Sequence, residues 1–237
     1  MKTSQHLIEF YNNYDEDNRL APKHGMVEFF TTMRYIQQHL KSGERVLEVG
    51  AGTGRYSHAL ARQGYIVDTV EWVEHNIEIF RKNTQENERI IVYQGDALDL
   101  SAFPDNQYDI TLVLGPLYHL YTIDEKRQVI REAIRVTKLD GIIFAAYVIS
   151  DGCLLDEGFQ RSNINVMKYI QKGLLDSETF AAKSKPQDLF EFVRKEDVDE
   201  LMSVFPTTHL HYVTCERSDF VGVTSHALDI FKNDKKS

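Results

Sequence analysis

The chain reads as an α/β protein built on a doubly wound, mostly parallel sheet of seven strands. Three observations predict this. Short apolar runs alternate with amphipathic stretches from residue 45 onward, the rhythm of βαβ units. A glycine-rich turn, Gly50-Ala51-Gly52-Thr53-Gly54, joins the first apolar run directly to the first helix of that series. Two more strand-like runs follow a long break near the C-terminal end, close enough together to pair antiparallel.

In order, "RVLEVG" is a buried strand, "RYSHALARQG" a short helix closed by Gly64, and "YIVDTVE" a second strand. A helix in "VEHNIEIFRKNTQ", a strand in "RIIVYQG" and the apolar strand "YDITLVL" follow, the last running straight into "LGPLYHLY". The stretch "TIDEKRQVIREAIRVTK" opens with Thr122 and Glu125 at capping-box spacing. It sets Val129, Ile130, Ala133, Ile134 and Thr137 on one helical face. Asp140 and Gly141 turn the chain into the strand "IIFAAYVI", and "THLHYVTC" and "HALDIFK" form the antiparallel edge. The expected organisation is one domain over 1–237: an N-terminal helical cap over 1–42, a core over 43–149, a lid or substrate insertion over 150–193, and a helix with edge strands over 194–237. The cap carries a helix in "PKHGMVEFFTTMRYIQQHL". The insertion reads as helical in "EGFQRSNINVMKYIQKGLL" and "SETFAAKS", with breaks at Gly173 and Pro186. Segments of this size beside a parallel sheet serve as lids or binding walls.

Composition narrows the function. With 27 Lys and Arg against 36 Asp and Glu, the formal net charge is -9, which disfavours capture of nucleic acid or of an anionic membrane. Cys153 and Cys215 lie far apart without a C-x-x-C neighbour, so neither a disulfide framework nor a zinc site is signalled. The N-terminal stretch lacks an apolar signal core, and no run approaches the roughly 20 apolar residues that cross a bilayer. A cytoplasmic protein is expected, and its oligomeric state leaves no mark in the sequence.

The first βα turn is where open α/β sheets bind ligands. The dinucleotide fingerprint G-x-G-x-x-G fails in both registers, since its last glycine falls on Arg55 or on Ser57. The second strand ends at Glu71, at a distance from Gly50 that suits a carboxylate accepting both hydroxyls of a ribose. Trp72 follows it, placed to pack on an adenine or to fill core. The third strand ends in Gly95-Asp96-Ala97. At the exit of the fourth, Gly115 allows close backbone approach and Pro116 makes a rigid, non-helical departure.

With its Glu48-Val49-Gly50-Ala51-Gly52-Thr53-Gly54 turn, the core from about 44 to 150 resembles the class I S-adenosylmethionine-dependent methyltransferases, whose turn has the form acidic-x-G-x-G-x-G. The resemblance implies S-adenosylmethionine as cofactor. It implies that Gly50, Gly52 and Gly54 lie against its methionine portion and that Glu48 orients the turn or reaches the amino group. A carboxylate that only accepts backbone N–H bonds fits Glu48 as well, and the two roles can coexist. Asp96, with Ala97, falls where the family places an acid on the adenine amine, and Leu114 and Gly115 fall at the wall near the sulfonium. The exit resembles the Asn/Asp-Pro-Pro-Tyr motif of amino methyltransferases loosely, because Gly115 and Leu117 replace two of its members. It is closer to a "GPLYHL" variant of bacterial small-molecule methyltransferases. Tyr118 and His119 then face the substrate or the packing behind it. His119 suits a general base, and equally a histidine bonded to a backbone carbonyl. "YDEDNRL" and "HGMVEFF" resemble segments that close over the cofactor, which raises Tyr14, Arg19 and Glu28, while Phe190 and Phe192 could line an apolar cavity. The catechol-type magnesium subclass needs acidic and amide ligands at the fourth and fifth strand ends, where only Asp151 is available, so no metal is expected. The reading is methyl transfer to an oxygen or nitrogen of a small molecule. The alternatives are a protein target, a dinucleotide-dependent oxidoreductase, and a non-catalytic cofactor-binding protein.

Overall fold

β-Branched runs make the interior of the sheet. Arg45–Val49 (β1), Ile66–Glu71 (β2) and Tyr108–Val113 (β4) are buried almost end to end, as strands covered on both faces must be. The computed structural model describes residues 2–155, 158, 162–185, 188–216 and 223–234. With β3 (Ile90–Gln94), β5 (Thr137–Ile149), β7 (Thr207–Glu216) and β8 (Val223–Asn233), the strands run in the order β3-β2-β1-β4-β5-β8-β7. The first five pair in parallel, and β8 pairs antiparallel with both β5 and β7. The order reverses between β1 and β4, and that switch point sets the crevice at their carboxyl ends. A two-residue strand not anticipated above, β6 (Phe192–Val193), pairs with Val148 and Ile149 beyond Ala145, where β4 has already left β5.

Helices cover both faces. The helix α2 (Lys23–His39) brings Met33 and Ile36, and α3 (Arg55–Arg62) brings Tyr56 and Leu60, onto Val46, Val67, Ile110, Leu112 and Phe144. On the other face α5 (Ile123–Val136) sets Val129, Ile130 and Ala133 on Val113, Ile143 and Ala145, joined by Val198 and Leu201 of α8 (Lys195–Met202). The capping box is formed: Thr122 Oγ1 accepts the Glu125 amide, and Glu125 Oε2 accepts the Thr122 amide. Two further helices, α1 (Lys2–Asn13) and α4 (Glu74–Asn83), pack on each other.

Several expectations need correction. Thr137 does not complete the α5 face; it starts β5 and is fully buried, and Val136 takes the core position. The Asp140-Gly141 turn lies inside β5, with Asp140 at φ 62°, as an irregularity between the pairs Tyr108↔Thr137 and Ile110↔Ile142. "SETFAAKS" is not helical. The Asp176 carboxylate accepts the Glu178 and Thr179 amides, holding a turn that competes with a helix, and Phe180 stands at φ 58°. Of the long helix expected over the preceding stretch, α7 spans only Val166–Gln171, capped by Asn165 and ended by Gly173 at φ 69°. A one-turn helix, α6 (Ser150–Cys153), follows β5. Residues 156, 157, 159–161 and Pro186 of that reading, and the loop between the last two strands, lie outside the described residues.

Candidate active site

The turn after β1 is held by its neighbours. Gly50 (φ 75°) fits against Pro116 so closely that a Cβ at 50 would come within 2.6 Å of the proline Cδ. A side chain at 115 would meet the Gly50 carbonyl at 3.1 Å. The rigid exit of β4 therefore braces the glycine turn of β1. Gly54 (φ 89°) is a glycine for a different reason: a Cβ there would lie 2.3 Å from the Phe80 ring. It packs the turn on α4.

Above the turn opens a cavity of about 550 Å³, a size typical of sites for cofactors and small molecules. Glu48, Gly50 and Gly52 line it from β1, Glu71 and Trp72 from β2, Asp96 and Ala97 from β3, and Leu114, Tyr118 and His119 from β4. Of the residues named for the cofactor at the four strand ends, together with Tyr118 and His119, only Gly54 misses this wall. Trp72 is 38% exposed and faces the cavity rather than the core.

The carboxylates are prearranged. Glu71 Oε2 accepts the Gly52 amide at 2.8 Å, and Oε1 accepts the Val73 amide at 2.9 Å and Asn76 Nδ2 at 3.3 Å. Burial raises its pKa and these bonds lower it, with burial prevailing. Oε2, with one bond accepted, retains a lone pair for a ligand. Glu48 Oε2 accepts the Ser57 amide at 3.0 Å and also its hydroxyl, which ties β1 to the first turn of α3. Burial pushes the Glu48 carboxyl up to about 8 against those two bonds. Asp96 Oδ1 accepts the Leu98 amide at 2.9 Å, which fixes the turn after β3.

The opposite wall comes from the N-terminal segment. Leu7 and Tyr11 of α1, Glu16, Arg19 and Leu20 all face the cavity. Arg19 Nε bonds Glu16 at 2.8 Å, and Nη1 bonds Glu28 at 3.1 Å. Glu28 and Tyr14 lie off the wall; Tyr14 stacks on Phe10 with ring centroids 4.9 Å apart. Phe190 and Phe192 also lie off it, and Phe190 instead packs behind His119 at 5.3 Å. Among the described residues the insertion 150–193 contributes Leu189 alone. Tyr11 and Leu7, overlooked above, carried a signal: an i, i+4 apolar pair on a helix face.

His119 joins these parts. Its Nδ1 lies 2.9 Å from the Leu189 carbonyl, which only accepts, so Nδ1 carries the hydrogen. Nε2 lies 3.0 Å from the Tyr11 hydroxyl. Burial lowers the ring's pKa to about 4, with the Leu189 bond acting the other way, so at neutral pH Nε2 holds a lone pair that accepts from Tyr11. The Tyr118 hydroxyl donates to the Leu114 carbonyl at 3.2 Å, and burial raises its pKa.

Residues 47–145 match the methyltransferase domain family. A demethylmenaquinone methyltransferase of Clavibacter sepedonicus is 35% identical over 103 residues, 43% of this chain and 40% of that protein. A ubiquinone biosynthesis O-methyltransferase of Actinobacillus pleuropneumoniae is 27% identical over 69% of this chain and 70% of its own. The chain spans less than half the length of the first curated relatives it matches. Among solved structures, the PH0226 protein of Pyrococcus horikoshii superposes with a TM-score of 0.67 at 19% identity, covering 94% of this chain and 98% of its own. Magnesium protoporphyrin IX methyltransferase of Synechocystis, solved with S-adenosylhomocysteine bound, gives 0.60 at 14% identity, over 89% and 83%. These two likenesses define the fold, the Rossmann-like fold of the S-adenosylmethionine-dependent methyltransferases.

Residues 47–145 are thus similar to a methyltransferase domain. The site fits S-adenosylmethionine: three strand-end acidic side chains and a glycine turn face one cavity, an acceptor set suited to the hydroxyls and amines of a nucleoside that carries an amino acid.

Proposed function

We propose that the whole chain transfers the methyl group of S-adenosylmethionine to an oxygen or nitrogen of a small molecule without a metal ion. The observation that carries this reading is the placement of Glu48, Glu71 and Asp96 on one cavity that also has Tyr11, Tyr118 and His119 on its walls. In this reading Glu71 takes the ribose hydroxyls, Asp96 the adenine amine and Trp72 the adenine face. Glu48 with Gly50 and Gly52 holds the methionine end, and Leu114 with Ala97 completes the wall. When bound, the cofactor supplies an already activated methyl group. The protein then has to align the nucleophile, exclude water and, where the nucleophile is protonated, accept a proton. His119 and Tyr118 stand at the acceptor side, and a proton reaches Nε2 of His119 through the Tyr11 hydroxyl bonded to it. Relatives named for ubiquinone and demethylmenaquinone methylation support a small-molecule acceptor. Among the described residues no group of three or more His, Cys, Asp and Glu could hold a metal ion. No helix among them is long and apolar enough to cross a membrane.

Calorimetry tests the cofactor half. Glu71→Ala and Asp96→Ala should each weaken S-adenosylhomocysteine binding by about 1.5 to 3 kcal/mol, the range for a lost bond to a charged group. Tight NAD binding with no affinity for either sulfur nucleoside would overturn it. For the acceptor half, label from methyl-tritiated cofactor should pass, in the presence of a chelator, to the small molecules of a cell extract. Label found only on protein would move the reading to a protein methyltransferase.

A further inference from the structure

The hydrogen-bond chain at the acceptor wall runs in one direction. The Leu189 carbonyl accepts from His119 Nδ1, which leaves Nε2 as an acceptor and makes Tyr11 the donor to it. Having given its hydrogen to Nε2, the Tyr11 oxygen offers only lone pairs to the cavity, so whatever binds there must itself donate. Chains aligned this way strengthen each link.

The surroundings set the charge. Glu16, Asp17, Glu71, Asp96 and Glu125 face the cavity, against Arg19 and Arg55. Arg19 is already bonded to Glu16 and Glu28, and Arg55 lies over the Phe29 ring at 5.0 Å. A carboxylate or phosphate on the acceptor would enter an acidic enclosure whose guanidinium at the site is taken, and burying it there is unfavourable. An ammonium would donate, but it would stand beside the cofactor's positive sulfonium. Shape follows from the rings: Tyr11 meets His119 edge-on at 5.7 Å and Tyr118 meets it at 4.7 Å, and aromatic walls favour flat partners.

We infer that the acceptor is an uncharged, flat, hydroxyl-bearing ring, of the phenol or quinol class, whose hydroxyl donates to Tyr11 and through it to His119. Tyr11 is the residue that touches the acceptor, and His119 is the positioning residue that fixes which way Tyr11 points its hydrogen. This rests on the methyltransferase reading above, so S-adenosylhomocysteine affinity is measured first on every variant. Loss of that affinity in the wild type would count against the reading itself rather than against the acceptor class.

The test is calorimetry on protein saturated with S-adenosylhomocysteine, using four probes of one shape: 2-naphthol, 2-methoxynaphthalene, 2-naphthoate and 2-naphthylmethylammonium. In the wild type 2-naphthol should bind about tenfold or more tighter than the ether, because a site that accepts a hydroxyl's hydrogen rejects the analogue lacking it. It should also exceed both charged probes. Tyr11→Phe and His119→Ala should bring naphthol and ether to nearly equal affinity. Should His119→Ala fail to fold, Tyr11→Phe, which removes one oxygen, decides alone. Preferred binding of the naphthoate or the ammonium, a naphthol preference that survives Tyr11→Phe, or no binding of any probe at millimolar concentration would overturn the inference.

Discussion

Glu48 is 2% exposed, and its carboxyl titrates near 8, where an unfolded glutamate titrates near its ordinary value of 4.5. The sign of the effect on stability follows directly. Between those two values the folded chain holds a proton that the unfolded chain has released, so raising the pH through that window favours unfolding. Above it the loss is complete. His119 acts oppositely, since its depressed pKa means that acidification below 6.5 favours the unfolded chain. Comparing wild type with Glu48→Gln cancels the histidine. The gain in stability of Glu48→Gln over wild type should grow from pH 5 to pH 8, by at most about 1.4 kcal/mol per unit, and level off beyond. Thermal melts of the ligand-free protein across that range check it; a difference independent of pH would mean that Glu48 is ionised when buried. The placement of Asp96 and Glu71 at the cavity was readable because each stands at a strand end. Tyr11 was not, because its role depends on a partner 108 positions away, and no local spacing records such a contact.

At the scale of elements, α3 is bounded by two kinds of glycine. Gly54 and Gly64 both have left-handed backbones, at φ 89° and 94°. A side chain at 64 meets nothing within 4 Å, while one at 54 runs into Phe80. Gly64→Ala should therefore cost about 1 kcal/mol of backbone strain, and Gly54→Ala roughly 2 to 5 kcal/mol once overpacking is added. Urea unfolding of the two variants tests this, and equal losses would refute a packing role for Gly54. The parallel strands and α5 were legible because apolar periodicity and a capping box are local signals. The insertion was not. "SETFAAKS" has helical composition, yet Asp176 captures two amides and the chain turns instead. Nor does composition report that β6 exists, since two residues beside the end of β5 leave no pattern in the sequence.

For the molecule as a whole, the cavity is walled by four strand ends on one side and by the N-terminal segment on the other, with Leu189 alone joining from the insertion among the described residues. Saturation with S-adenosylhomocysteine should accordingly slow amide hydrogen exchange in residues 2–20 and at the exits of β1 to β4, and leave β7 unchanged. Protection confined to 150–185 would instead make the insertion the lid. The strand order has a further result, for how the chain is made. The edge of β5 opposite β4 is covered by β8, through pairs from Ile142↔Lys232 to Val148↔His226, and β7 reaches the sheet only through β8. On the ribosome, then, a strand buried throughout 141–149 stands with one bare edge until residues 226–232 have been synthesised, inviting mispairing. Asn233 Nδ2 completes the closure by donating to the Thr137 carbonyl at the foot of β5. A message cut short within β8 would not trim a border of the sheet; it would release β7 and leave the centre of the molecule open.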